Sequence, residues 1–233
     1  MAMLKIQDVH KTFNPGTINE KKALNGVNLV LNEGDFVTVI GGNGAGKSTV
    51  LNMIAGVYPV DSGSIMIDDI DVTKLPEHKR AKYLGRVFQD PMNGTAADMN
   101  IEENLALAAR RGKQRFLGWG ITAKEREEYK ERLGSLGLGL EDRMTSKVGL
   151  LSGGQRQAVT LLMASLRKPK LLLLDEHTAA LDPKTAKKVL ELTEEIVAKD
   201  NLTTLMITHN MKDAIRLLSL IHISEPTRRV VIS

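Results

Sequence analysis

One stretch constrains the fold more than any other: FVTVIGGNGAGKSTVLNMIA, residues 36–55. A β-prone run enters a glycine-rich loop, and the loop enters a helix-forming segment. The loop comprises Gly41, Gly42, Asn43, Gly44, Ala45, Gly46, Lys47, Ser48 and Thr49. It matches G-x-x-x-x-G-K-[ST] with the strand before and the helix after that this pattern requires. Its glycines let successive backbone N–H groups turn inward onto phosphate oxygens, and the helix N-terminus adds its dipole. Lys47 is predicted to reach the β- and γ-phosphates, Ser48 to ligate Mg²⁺, and Thr49 to support the α-phosphate.

Short β-rich runs recur at 4–9, 26–31, 63–68, 170–175 and 203–208, with helical patterns at 47–55, 101–111, 122–134, 153–167 and 184–199. The early runs alternate polar and apolar residues, as half-buried antiparallel strands do. FVTVI (36–40), LLLL (171–174) and LMI (205–207) are continuously apolar, as strands covered on both faces are. The predicted fold is α/β, with a mostly parallel sheet as core, an N-terminal antiparallel β subdomain and a helical subdomain inserted at roughly 90–160. Aromatic residues are 3% of the chain, so the core must rest on Leu, Ile, Val, Ala and Met.

The absence of cysteine excludes disulfides and cysteine-ligated metal, and it fits a reducing compartment. No run approaches the roughly 18 apolar residues of a spanning helix. The N-terminus lacks the apolar core of a signal peptide, so any service to a membrane is expected to go through a partner. A net charge of +4 permits contact with anionic lipid or nucleotide without calling for nucleic acid.

A phosphate loop needs an acidic centre, and LLLLDE (171–176) supplies one. Asp175 ends a buried strand, where its carboxylate can hold Mg²⁺ through water. Glu176 follows, placed to polarise an attacking water. Alone, two such acids read as the start of a solvated loop; beside the phosphate loop they read as metal ligand and base.

Leu151-Ser152-Gly153-Gly154-Gln155 adds a second anion site: Ser152 is a good N-cap, the glycines permit close backbone approach, and a helix follows. Together with the loop and LLLLDE, this LSGGQ resembles the signature of the ATP-binding-cassette (ABC) family of P-loop NTPases, over residues 1 to about 216. The resemblance implies that two subunits pack head to tail, so that Ser152, Gly153, Gly154 and Gln155 of one close over the γ-phosphate held by the other. Gln89, in VFQDP, resembles the glutamine that contacts Mg²⁺ and water and links the site to the transporter interface. His209, in ITHN, resembles the switch histidine on the γ-phosphate, and Asp182, in AALD, the aspartate that communicates between the two sites. Phe13 stands where the family places an aromatic against adenine, or it is core.

The implied function is ATP hydrolysis, with Glu176, His209, Gln89 and Lys47 catalytic, at the cytoplasmic face of the cell membrane. The implied partners are membrane permease subunits, an extracytoplasmic substrate-binding protein and a second ATPase subunit, with no nucleic acid. An uptake system for amino-acid-like solutes is expected. The rival is a soluble ABC ATPase acting as a clamp on DNA or ribosomes; those relatives carry long coiled coils or two cassettes, and this chain has neither.

Three further features stand apart from these motifs. His177 stands where the family often has proline, and either tunes the base or is structural. Trp119, with Phe116 and Leu117, contacts a permease or anchors the insert, and Arg110, Arg111, Lys113 and Arg115 nearby read as a solvated face. Finally, the family match stops near Leu217. Residues 218–233, LSLIHISEPTRRVVIS, resemble a transposase-type sequencing adapter read in frame, the alternative being a native amphipathic tail; the domain is expected to span 1–217 with a non-native tail replacing its further strand.

Overall fold

The computed structural model describes residues 2–42, 44–112, 120–210 and the backbone of 229–231. Two sheets organise them. The strands β1 (Ala2–Phe13), β2 (Lys21–Asn32), β4 (Ser62–Ile67) and β5 (Ile70–Asp71) form an antiparallel sheet in the order β2-β1-β4-β5. The strands β3 (Phe36–Ile40), β6 (Leu84–Val87), β7 (Leu171–Asp175), β8 (Thr204–Ile207) and β9 (Arg229–Val231) form a parallel sheet in the order β6-β7-β8-β3-β9. The helices are α1 (Lys47–Ala55), α2 (Glu77–Arg80), α3 (Ile101–Ala109), α4 (Ala123–Gly134), α5 (Gly153–Ser165) and α6 (Pro183–Asp200).

The parallel strands are continuously apolar because both of their faces are covered. Along β7, Leu172 and Leu174 point into a core shared with α3, α4, α5 and α6, whereas Leu171 and Leu173 point into one shared with α1 and the antiparallel sheet. All four are fully buried, each contributing on the order of 1.5–3 kcal/mol as an upper estimate. The strand therefore ends at a fixed height in the sheet, and so do the acids that follow it.

Five expected helices and six expected strands lie at their predicted places to within a few residues. The one-turn α2, the two-residue β5 and β6 were not anticipated; β6 (LGRV) is broken up by Gly85 and Arg86 and shows no apolar run. Arg80 of α2 is 2% exposed, and its guanidinium donates to the carbonyls of Met53, Ile54, Thr73 and Leu75. It thereby closes the C-terminal end of α1, the helix that follows the phosphate loop.

Residues 229–231, in the segment expected to be non-native, pair in parallel with β3 at the edge of the sheet, Val39 facing Val230; 218–228 lie outside the described residues. The aromatic cluster Phe116, Leu117 and Trp119, with Lys113 and Arg115, also lies outside them. The two neighbouring arginines are not simply a solvated face. Arg110 pairs with Glu125 at 3.3 Å and bonds the Gly120 carbonyl, and Arg111 donates to the Ala164 carbonyl at 3.1 Å. Among the described residues no helix is long and apolar enough to cross a membrane.

Candidate active site

The phosphate loop leaves β3 and enters α1 through Gly46, which adopts φ 85°. A Cβ there would lie 2.6 Å from the Ala23 carbonyl oxygen, so only glycine fits between loop and β2. Lys47 is buried and donates to the carbonyls of Gly41 (2.8 Å) and Gly42 (2.9 Å), which points its ammonium across the mouth of the loop. Asn43 lies outside the described residues. Gly44, Ala45, Gly46, Lys47, Ser48 and Thr49 line a cleft of about 400 Å³ together with Phe13, Gln89 and Glu176. Residues from four separate parts of the sequence thus meet at one cavity, as expected for a nucleotide. Phe13, half-buried, meets Tyr58 edge-to-face at 5.3 Å and still lines the cleft, so it serves both the packing and the cavity.

Asp175 at the end of β7 stands near the Ser48 hydroxyl at the start of α1. Burial raises its pKa above the ordinary carboxylate value, and Glu176 adds to this; Arg86, Ser48 and Lys47 act in the opposite direction. Arg86 was not anticipated from the sequence. It lies 4.0 Å from Asp175, donates to Asn52 Oδ1 at 2.6 Å and stacks 4.5 Å over Phe88. The hard oxygens of Ser48 and Asp175, with Gln89 across the cleft, are the donor type that suits Mg²⁺.

Glu176 is held in a left-handed conformation, φ 44°, which costs a non-glycine residue about 1–3 kcal/mol. Its N–H donates to the Ile207 carbonyl at 3.0 Å, tying it to β8, and its carboxylate lies 3.1 Å from Nδ1 of the half-exposed His209. The predicted base and switch histidine are therefore in contact.

His177 is buried, and burial lowers its pKa to about 4, so the ring is neutral near pH 7. Its Nε2 lies 3.1 Å from Thr193 Oγ1 on α6. Among the described contacts it makes none with Glu176 beyond the chain itself, which favours the structural reading.

The signature residues stand elsewhere. Ser152 caps α5 in a reciprocal pair with Gln155, at 3.3 and 3.2 Å. Ser152 and Gly153 are exposed. Ser152, Gly154 and Gln155 line a separate groove with Lys184, Thr185 and Lys188, and share no lining residue with the phosphate-loop cleft. A Cβ on Gly154 would fall 2.1 Å from Thr185 Cγ2, so α5 and α6 meet as closely as a glycine allows. Asp182 caps α6, accepting from the Lys184 and Thr185 N–H groups; the bonds from Thr185 lower its pKa.

A phosphate loop, a partly buried aspartate beside its serine and a strained glutamate at a strand end define a P-loop ATPase. The family model described as ABC transporter matches residues 24–179. A tyrosine transport ATP-binding protein of Clostridioides difficile is 45% identical over 219 residues, covering 92% of this chain and 85% of that one. A methionine import ATP-binding protein of Vibrio vulnificus is 36% identical over 214 residues, covering 90% and 58%. The dimeric ATP-binding cassette MJ0796, in a post-hydrolysis state bound to ADP and Pi, superposes with a TM-score of 0.80 at 30% identity, covering 99% of this chain and 94% of that one. The chain belongs to the ABC transporter family, as an ATP-binding and ATP-hydrolysing subunit.

Proposed function

We propose that this ATPase powers uptake of an amino-acid-like solute through separate membrane permease subunits, at the cytoplasmic face of the membrane and with an extracytoplasmic substrate-binding protein. Relatives named for tyrosine transport and methionine import support the direction and the solute class. The domain is 1–217, with its helical part at roughly 90–160, and 218–233 are not native to it. An apolar groove of about 390 Å³, lined by Phe88 (the residue before Gln89) and Leu107, is the face offered to the permease.

Hydrolysis is assigned to residues of the cleft and to Asp175 and His209 beside it. Lys47 and the loop N–H groups bind the phosphates and neutralise charge that develops on them. Glu176 orients the attacking water and takes its proton, while His209 fixes the carboxylate and reaches the γ-phosphate. Mg²⁺ held by Ser48, Gln89 and Asp175 would supply electrostatic stabilisation of the phosphates. Ser152, Gly153, Gly154 and Gln155 act on the nucleotide of a second subunit, with Asp182 between the two sites.

The observation that carries this reading is the cleft itself, where Lys47, Ser48, Gln89 and Glu176 meet, with the signature helix opening onto a different groove. Glu176→Gln tests it. The variant should bind ATP and form a stable dimer yet hydrolyse it at least ~100-fold more slowly. Hydrolysis near the wild-type rate removes Glu176 from its role.

A further inference from the structure

We infer that His177 and Thr193 form a joint that positions Glu176 on α6; the inference rests on Glu176 being the base. Thr193 sits in the middle of α6 with no exposed surface, and its hydroxyl donates to the Val189 carbonyl at 2.8 Å. The hydroxyl hydrogen is thereby committed. The 3.1 Å contact with His177 must then be a bond donated by Nε2–H to the threonine oxygen. The ring is fixed as one tautomer, and the residue immediately after Glu176 is fastened to the interior of a helix.

That fastening has a mechanical purpose. Glu176 occupies a left-handed backbone conformation that a free loop would relax out of. Two restraints hold it: the bond from its own N–H to Ile207 in β8, and the anchor one residue later on α6. The turn beyond is closed by bonds from Ala179 N–H to the Glu176 carbonyl (2.9 Å) and from Leu181 N–H to the Thr178 carbonyl (3.1 Å). It ends at Asp182, the cap of the same helix. The segment 176–182 is therefore stapled at both ends to α6. The start of α6 is in turn packed onto the signature helix through Thr185 and Gly154. The helix α6 thus joins the segment that follows Glu176 of a subunit's own site to α5, whose N-terminus bears the signature it offers to the next. His177 and Thr193 are positioning residues in this joint, since neither lines the cleft.

The experiment compares four single variants and one double variant, with Glu176→Gln as reference. Thr193→Val keeps the shape of the side chain and removes the acceptor; His177→Leu removes the donor. Thr193→Ser and His177→Gln keep, respectively, the hydroxyl and an N–H at the ring's Nε2 position. For Thr193→Val and His177→Leu, kcat should fall roughly tenfold or more, as for a misplaced reacting group. Their KM for ATP and their binding of a fluorescent ATP analogue should stay within about twofold of wild type. Thr193→Ser and His177→Gln should keep near-normal kcat, and the double variant Thr193→Val/His177→Leu should lose no more than either single one. The inference is overturned if Thr193→Val and His177→Leu keep wild-type kcat. It is equally overturned if the conservative variants lose as much as the disruptive ones, with kcat tracking the melting temperature. Wild-type hydrolysis by Glu176→Gln would instead strike the assignment of the base, separating the two failures.

Discussion

At the scale of residues, burial decides what each ionisable group can do. His177 follows Glu176 in sequence yet turns toward α6, and its pKa of about 4 describes a ring that folding keeps neutral. The unfolded chain binds a proton there near pH 6.5, and the native chain does so only near pH 4. Stability therefore falls as pH drops through that window and is unaffected by this group above it. The full effect is about 3 kcal/mol, from 1.36 kcal/mol per pKa unit. Urea unfolding of the wild type and His177→Gln at pH 7.5 and 4.5 checks this. The substitution should flatten the acid loss, whereas equal losses in both proteins would assign the sensitivity to other groups. The direction of this side chain was not legible in DEHTAALD. Only the placement of α6, fixed by a distant segment, decides whether residue 177 faces the site or the helix. Arg86 was hidden for the same reason, because its partners Asn52 and Asp175 lie 34 and 89 residues away in sequence.

At the scale of elements, what the sequence discloses is whatever depends on local pattern. FVTVI, LLLL and LMI disclose buried strands because both faces need apolar residues. Ser152 with Gln155 discloses a helix start because the capping pair is local. The strand β6 is silent because four residues containing Gly85 and Arg86 carry no periodicity. The closeness of α5 to α6 is also silent until the two helices are seen together: nothing in LSGGQ itself shows that Gly154 must face Thr185. From this contact, Gly154→Ala should drive the two helices apart and lower hydrolysis about tenfold or more, while ATP binding to the phosphate loop stays within about twofold. Adding Thr185→Ser, which deletes the opposing methyl, should restore much of the rate. Failure of the second substitution to rescue would mean that the glycine serves the nucleotide directly rather than the packing.

At the scale of the whole molecule, the phosphate-loop cleft and the signature groove share no lining residue, which supports the proposal that each chain holds parts of two different sites. Dimeric assembly of the structural relative MJ0796 fits that division. The consequence is genetic. A Lys47→Ala chain lacks a working phosphate loop but keeps a sound signature; a Ser152→Arg chain has the opposite defect. Either alone should be null, yet the mixed dimer unites the two sound halves in one site and both defects in the other. Equal mixing should recover about a quarter of the wild-type sites, since half the dimers are mixed and each has one good site of two. Two dead alleles in one cell should then support growth on the transported solute, and their failure to complement would place both halves of the chemistry in the same chain.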